Sequence, residues 1–177
     1  QGDAHKVYVR YNTNLSRRKY KGVDLYDDLL KHFRDWQICA SIDGTGKIGE
    51  WIRDGLNYDK WLDNFRRGCA IATHGRQMRL DLTITTPGLL DLKNMFRLSK
   101  QLNVEMLTKV TFAFTPDIVL SPIALPRELL NDIVDELLDF IEPLADSKQQ
   151  SLVDVLKQLK NRPVFEETWP DQYRQGW

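Results

Sequence analysis

The stretch QICASIDGTGKIGEWIRDG, residues 37–55, decides the fold that the rest of the chain is expected to support. It opens as a short, largely apolar run, typical of a buried strand, and Asp43 follows directly at the end of that run. A polar loop with glycines at 44, 46, 49 and 55 comes next, and it carries Arg53. In parallel α/β proteins, ligands bind at such strand ends, beside glycine-rich loops.

The amino-acid composition excludes some classes of function but does not identify one. The 177 residues are 42% hydrophobic and 28% charged, as expected of one globular domain with a real core. Lys+Arg and Asp+Glu balance at 25 each, which argues against bulk binding to nucleic acid or to an anionic membrane. No apolar run could cross a membrane, and no signal peptide opens the sequence. We therefore expect a cytoplasmic protein, with Cys39 and Cys69 as buried, reduced thiols.

Apolar periodicity predicts that strands and helices alternate along the chain. Strands are predicted over residues 5–11, 37–42, 79–85 and 109–115. Helices are predicted over residues 25–33 (capped by Asp24 and closed by Trp36), 59–68, 89–102 and 127–144, with a further helix capped by Ser151 and an irregular aromatic tail from residue 163. Such alternation predicts parallel strands joined by right-handed crossovers, so the fold class is α/β.

The first candidate site is the end of the second predicted strand. Ser41 and Asp43 are two residues apart, so their side chains leave the same face of the strand. A hydroxyl and a carboxylate there suit a ligand with hydroxyls or an ammonium group, whereas a simple strand-ending turn at Asp43-Gly44 is the alternative. Arg53 could clamp a ligand carboxylate, or it could be an ordinary exposed arginine.

Other polar residues are expected at the same rim of the sheet. Asn14 ends the first strand, and Thr83 and Thr85 lie on the polar face of the third; a plain turn and a solvent-facing edge are the alternatives. The spacing Gly44-x-Gly46-x-x-Gly49 matches a dinucleotide fingerprint formally, but no long helix or suitably placed acidic residue follows. We therefore predict no dinucleotide site.

Several stretches together resemble the radical S-adenosylmethionine enzymes, in particular the subgroup with a "twitch" extension. They are ICASIDG followed by GKIGEWIRDGLNYDKWLDNFRRG, then VYVRYNTNLS, LDLTITTPGLLDLKNMFRLSKQLNV and VTFAFTPDIVLSPIALP, within about residues 7–145. They are similar to strands three to six of that family. The resemblance implies four alternating βα units of a parallel-stranded partial TIM-like barrel, plus C-terminal helices. It also implies that residues 1–177 form a single domain that is a fragment of a larger one, with a core over 7–145 and a C-terminal helix and aromatic tail over 146–177.

The resemblance also implies roles for the candidate residues. In the family, a serine and an aspartate on the fourth strand lie by the ribose and methionine parts of the cofactor, and a later arginine approaches the methionyl carboxylate. These roles fall on Ser41, Asp43 and Arg53. Asn14 is then expected in the same cleft, with Thr83 or Thr85 near the cofactor on the fifth strand.

The family's iron–sulfur motif is absent from the sequence. No Cys-x3-Cys-x2-Cys loop and no Gly-Gly-Glu-Pro motif occur, and Cys39 and Cys69 cannot replace three clustered thiolates. The resemblance therefore implies an S-adenosylmethionine-binding portion truncated upstream, whose intact parent would cleave S-adenosylmethionine reductively at a [4Fe–4S] cluster. The chain alone is expected to be inactive, with no catalytic or metal-binding residues and no bound cofactor.

Loss of two βα units would leave the first strand as an open, apolar edge. Such an edge should seek a partner, so we predict a homo-oligomer through that strand or shielding by the aromatic tail. The substrate is not indicated. A self-contained α/β binding or interaction domain without catalytic activity is the alternative hypothesis, and a TIM-barrel-like fragment of an unrelated enzyme is a third.

Overall fold

A four-stranded parallel sheet forms the centre of the molecule. The computed structural model of the chain describes residues 2–111 and 120–171. Its strands are β1 (Tyr8–Thr13), β2 (Lys19–Tyr20), β3 (Val23–Asp24), β4 (Asp35–Ile42), β5 (Met78–Ile84) and β6 (Glu105–Val110). The sheet has the order β1-β4-β5-β6, and β2 and β3 form a separate antiparallel hairpin. The α/β class and the parallel sheet are thus confirmed, while a partial barrel stays a prediction.

Seven α-helices accompany the sheet in the described part of the chain. They are α1 (Gly46–Ile52), α2 (Tyr58–Ile71), α3 (Thr86–Leu90), α4 (Leu92–Leu102), α5 (Arg127–Ile141), α6 (Gln150–Lys160) and α7 (Phe165–Thr168). A π-helical turn (Leu25–Leu29) and short 3₁₀ turns (Ala4–Lys6, Leu30–His32, Pro122–Ala124 and Glu142–Leu144) complete the elements. Among residues 2–111 and 120–171, no helix is long and apolar enough to span a bilayer.

One face of the sheet is apolar and belongs to the hydrophobic core. Register pairs such as Ile42 and Leu82 lie side by side, and their side chains leave the same face. The strand residues of this apolar face are Trp36, Ile38, Ala40, Ile42, Met78, Leu80, Leu82, Ile84 and Met106, all buried. They form one cluster with helix residues that include Trp61 and Phe65 of α2. Apolar side chains at every second position of β4 and β5 therefore determine the side of the sheet on which the helices pack.

The opposite face of the sheet is polar. Its residues are Tyr8, Arg10, Asn12, Asp35, Gln37, Cys39, Ser41, Arg79, Asp81, Thr83, Glu105, Leu107 and Lys109. Charges on this polar face pair across neighbouring strands: Arg79 lies 2.7 Å from Glu105, and Lys109 lies 3.0 Å from Asp81. The polar face carries two of the six predicted candidate residues, Ser41 and Thr83, and Asp43 follows directly at the end of β4.

The segment after Asp24 is less regular than the predicted helix over residues 25–33. Asp24 does cap it, because its Oδ1 accepts hydrogen bonds from the N–H groups of Tyr26 (3.0 Å) and Asp27 (3.2 Å). The capped segment is the π-helical turn and a 3₁₀ turn, not an α-helix. The prediction that Trp36 closes a helix is wrong, because Trp36 shares the apolar alternation of β4 and packs within that strand against Tyr26.

Some boundaries differ from the predicted ones. β1 covers Tyr8–Thr13 instead of residues 5–11, and the predicted helix over 89–102 is two helices that meet at Asp91. β6 begins at Glu105, earlier than predicted, because Asn103 takes a left-handed conformation (φ 55°) that ends α4. Most of the predicted strand over 109–115 lies in residues 112–119, outside the described residues.

The C-terminal helices agree better with the sequence. α5 ends at Ile141, before a 3₁₀ turn that contains Pro143. Ser151 is not an N-cap as predicted; it lies inside α6, and its Oγ accepts a hydrogen bond from the N–H of Thr108 (3.1 Å). The predicted irregular tail includes the short helix α7, whose Phe165 is buried, while residues 172–177 lie outside the described residues.

Candidate functional site

Asp43 is the centre of the candidate site. It follows the last residue of β4, and only 6% of its surface is exposed. Its Oδ1 accepts a hydrogen bond from the N–H of Thr83 at 3.0 Å, which ties the end of β4 to β5. Its Oδ2 lies 2.6 Å from Nε of Arg53, in a close ion contact that lacks the alignment of a hydrogen bond. Both carboxylate oxygens are therefore engaged inside the chain.

Helix α1 brings Arg53 back to Asp43. α1 packs tightly on the loop after β4, since a Cβ at Gly49 would lie 2.2 Å from the carbonyl oxygen of Gly44. Arg53 follows the last residue of this helix, and its N–H donates to the carbonyl oxygen of Gly49 at 3.0 Å. The glycine at position 49 thus sets the distance between the helix and the strand end.

The terminal nitrogens of Arg53 remain available. Nη1 and Nη2 have no hydrogen-bond partner among the described residues, and 29% of the side chain is exposed. A guanidinium anchored through Nε, with its outer edge free, can still receive a carboxylate by two parallel hydrogen bonds. The carboxylate-clamp role of Arg53 stays a prediction.

Two hydroxyl groups lie on the polar face near this ion pair. Ser41 and Thr83 are both half-buried, and neither hydroxyl has a hydrogen-bond partner in the part of the chain that the structure describes. Ser41 precedes Asp43 by two residues on β4, and the N–H of Thr83 is the donor to Asp43. The structure therefore brings together Ser41, Asp43, Arg53 and Thr83.

Thr85 and Asn14 each accept hydrogen bonds from nearby residues, and their predicted roles stay predictions. Thr85 was predicted on the third strand, but β5 ends at Ile84 and the Thr85 side chain caps α3 by accepting from the N–H of Gly88 at 3.1 Å. Asn14 follows β1 and is exposed, and its Oδ1 accepts from the N–H (3.3 Å) and hydroxyl (3.0 Å) of Ser16. No contact of Asn14 with Asp43 or Arg53 is seen.

Asp91 supports the site and was not predicted. Only 2% of its surface is exposed, and its Oδ2 accepts a hydrogen bond from the N–H of Thr45 in the loop after β4. Its Oδ1 accepts from the side chain of Asn94 at 2.7 Å. The residue falls between α3 and α4, a break that apolar periodicity does not mark. Sequence reasoning therefore had no signal for it.

The charged pairs of the polar face were also missed. Asp81 is 9% exposed and lies directly beside Ser41 in the register of β4 and β5. Its ion pair with Lys109 depends on the strand register between β5 and β6, which sequence alone did not give. The alternation RLDLTIT over residues 79–85 did indicate that Asp81 faces away from the core.

The two cysteines do not form a metal site. Cys39 is buried on the polar face, with its thiol 3.7 Å from Oε1 of Gln37, whereas Cys69 lies in α2. Burial raises the pKa of Cys69 to about 11, so this thiol is protonated at neutral pH. Within residues 2–111 and 120–171, no three His, Cys, Asp or Glu side chains are grouped so that they could hold a metal ion.

Comparisons with known proteins do not add a family. No protein-family model, no curated protein and no solved structure matches this chain. What the site can do is therefore argued from its own groups: two free hydroxyls, a buried carboxylate, and a guanidinium with a free outer edge.

Proposed function

We propose that the ends of β4 and β5 form part of the S-adenosylmethionine-binding wall of a radical S-adenosylmethionine domain. The observation that carries the proposal is Arg53, held 2.6 Å from Asp43 while its outer nitrogens stay free. The resemblance predicted this neighbourhood for Ser41, Asp43 and Arg53. The parallel sheet, whose strand order follows the chain, supports the same family-like arrangement.

The residues present fit the amino-acid and ribose parts of S-adenosylmethionine. The free edge of Arg53 suits the methionyl carboxylate, and the hydroxyls of Ser41 and Thr83 suit the ribose hydroxyls. Asp43 orients Arg53 and gives the site a negative group near the ammonium. When bound beside a reduced iron–sulfur cluster, the cofactor supplies radical chemistry by its reductive cleavage.

The residues present do not fit the cluster itself. Cys39 and Cys69 are the two cysteines of the sequence, and they lie on different elements, a strand of the sheet and α2. A [4Fe–4S] cluster needs three thiolates together, so the proposal covers cofactor binding and includes no cleavage step. Enzyme activity belongs, in this proposal, to a parent that supplies the cluster; a cytoplasmic location and self-association remain predictions.

A self-contained α/β binding domain is the second candidate function. One observation favours it: Asp43 has both oxygens satisfied by Arg53 and Thr83, as expected of a structural ion pair at a strand end. In this alternative, Arg53 holds α1 against the sheet and binds no ligand.

An NMR titration separates the two candidates. Isotope-labelled protein is titrated with S-adenosylmethionine and, separately, with methylthioadenosine, which lacks the amino-acid end. We expect shifts at Ser41, Gly44 and Thr83 with both ligands. Arg53→Lys should weaken only S-adenosylmethionine, because a lysine loses the two-pronged carboxylate contact, and Ser41→Ala should weaken both.

The matched control is Arg66→Lys, which changes an exposed arginine of α2 that makes no hydrogen bond or ion pair among the described residues. It should leave both titrations unchanged. If neither ligand shifts Ser41, Gly44 or Thr83 at millimolar concentration, or if Arg53→Lys weakens both ligands equally, the proposal is wrong and the structural ion pair is the better account.

A further inference from the structure

The two edge strands of the sheet, β6 and β1, differ in whether other parts of the chain form hydrogen bonds with their outer side. At the β6 edge, the N–H of Met106 donates to the carbonyl oxygen of Lys148 at 2.9 Å, and the N–H of Thr108 donates to Oγ of Ser151 at 3.1 Å. At the β1 edge, Tyr8–Thr13 makes its ladder with β4, and no other described residue donates to or accepts from its backbone. β1 is thus an open edge within the described chain.

β1 carries little of the usual protection of an edge strand. Its sequence YVRYNT contains no proline, and Arg10 is its one charged residue. Large apolar side chains stay exposed along and beside it: Val7 (44%), Tyr8 (45%) and Tyr11 (50%). An unpaired backbone beside exposed aromatic rings is a template for an additional strand.

A cavity of about 440 Å³ adjoins this edge. Tyr11 and Thr13 of β1 line one side of it, and the hairpin of β2 and β3 with the turn after it lines the other. Exposed apolar groups there include Tyr20 (66%), Val23 (44%) and Leu29 (47%). The volume lies within the range of pockets that accept a large side chain or a small ligand.

The rim of this cavity is cationic. Arg17, Arg18, Lys19 and Lys21 all line it, and no acidic residue is part of the lining. Asp24 lies beside two of them: it is 2.8 Å from Arg18, and it faces Lys19 in the register of the hairpin. Four cations around one buried carboxylate leave the rim with a net positive charge.

The hairpin carries two of these cations, Lys19 and Lys21. Lys21 (φ 48°) and Gly22 (φ 82°) form the two-residue connection between β2 and β3, and positive φ at both positions is typical of a type I′ turn. The ammonium of Lys21 lies 5.5 Å above the ring of Tyr20. The backbone of the turn therefore places Lys21 beside the cavity.

We propose that the free edge of β1 accepts an extended, acidic peptide segment of another polypeptide as an additional strand. Backbone hydrogen bonds to β1 supply affinity, an apolar or aromatic side chain of the peptide enters the cavity, and its acidic side chains meet Arg17, Lys19 and Lys21. The positive charge around the β1 edge favours an acidic peptide over a second copy of the chain as the added strand. Pairing with a second copy would bring Arg10 and both cationic rims towards each other, which disfavours a homodimer. The inference uses none of the residues of the proposed cofactor site, but it competes with the proposed parent domain, whose upstream strands would pair with the same edge.

The test is a selection of peptides from a random heptamer display library on the immobilised chain, followed by affinity measurement by fluorescence polarisation. We expect selected peptides in which Asp or Glu alternates with aromatic or β-branched residues. The triple variant Arg17→Gln, Lys19→Gln, Lys21→Asn should weaken them at least tenfold; asparagine at position 21 tolerates the positive φ. Methylating alternate backbone nitrogens of a selected peptide should also abolish binding.

The matched control removes three exposed cations elsewhere, Lys60→Gln, Arg66→Gln and Arg76→Gln, and should leave affinity unchanged. Circular dichroism verifies that both triple variants fold. The proposal is overturned by a basic or neutral consensus, by no selected binder, by equal loss in the control, or by binding that survives nitrogen methylation. A concentration-dependent dimer that buries β1 in light scattering, and excludes the peptides, would assign the edge to a second copy instead.

Discussion

The two faces of the sheet differ in the interactions that their side chains make. The apolar face carries buried side chains such as Ile38 and Leu82, which pack into one cluster with the helices. The polar face carries charges and hydroxyls, and its charges are largely paired with one another across the strands, as Asp81 is with Lys109. Parallel sheets are usually apolar on both faces, so this asymmetry is unusual.

The two faces of the sheet have different roles: the apolar face stabilises the fold, and the polar face carries the candidate site. Burial of apolar area is the main favourable term in folding, and here it is concentrated on one side of the sheet. We expect less from the ion pairs of the polar face: the lysine of the Asp81–Lys109 pair is 58% exposed, and pairs open to water contribute about 0–1 kcal/mol. The unpartnered groups of the candidate site, Ser41, Thr83 and the outer edge of Arg53, belong to the polar side. Substitutions on the two faces should therefore differ in size, and the following predictions test this.

The largest effect is expected for Leu82→Ala on β5. The side chain is 1% exposed in the core, so its truncation should lower the free energy of unfolding by about 2–5 kcal/mol. The neighbouring Thr83→Ala changes the opposite face and should cost about 0.5 kcal/mol or less. Urea unfolding followed by circular dichroism measures both. Similar losses for the two variants would show that both faces contribute to the core.

The second effect concerns the buried carboxylate at the end of β4. Asp43→Ala should cost about 1–3 kcal/mol, because it leaves the N–H of Thr83 and the guanidinium of Arg53 without their acceptor. Asp43→Asn retains an oxygen for the N–H of Thr83 and should cost less. The same urea titrations decide the point. If the alanine and asparagine variants unfold at the same midpoint, neither contact is stabilising.

The division into two faces could be predicted from the sequence, because it depends on local alternation. Residues 79–85 and 37–42 have the period that places Leu82 and Ile38 on one side and Ser41 on the other. Placement of Asp43 and Arg53 at one end of the sheet followed from the position of the strand end. Their direct contact did not, because it depends on how closely α1 packs through Gly49.

The predicted element boundaries were wrong where the backbone conformation, and not the apolar alternation of side chains, determines where an element ends. Thr85 continues the alternation of β5, yet it caps α3, and the signal was Pro87 in the first turn of that helix. The start of β6 depended on Asn103, whose left-handed conformation ends α4. Strand pairing between distant segments, such as Asp81 with Lys109, is not encoded in either local sequence.

A smaller effect is expected on the polar face itself. Lys109→Ala removes the partner of Asp81, but 58% of the lysine side chain is exposed, so water replaces much of the contact. The expected loss is about 0–1 kcal/mol in urea unfolding. Leu80→Ala, on the apolar face of β5, is the matched comparison and should cost several times more. A loss at Lys109 as large as that at Leu80 would contradict the assignment of stability to the apolar face.

The smallest effect is a pH dependence at the other end of β4. Burial raises the pKa of Asp35, but the hydrogen bonds from Gln77 (2.8 Å) and the N–H of Trp36 (2.7 Å) outweigh it and hold that pKa below its ordinary value of 3.8. His74, 3.1 Å away, acts in the same direction. A group whose pKa is lowered by folding stabilises the protein above its unfolded pKa, and this contribution is lost as the pH falls.

Asp35→Asn removes the charge and should expose this dependence. At neutral pH the variant should unfold at a lower urea concentration than the unchanged chain, because asparagine accepts weaker hydrogen bonds than a carboxylate. The difference between the two midpoints should shrink as the pH falls below 3.8, where the aspartate becomes protonated in both states. A difference that stays constant, or that grows in acid, would mean that Asp35 holds the loop through its shape and not through its charge. In that case the charge of Asp35 adds nothing to folding, and its contrast with the charge of Asp43 at the other end of β4 is sharper still.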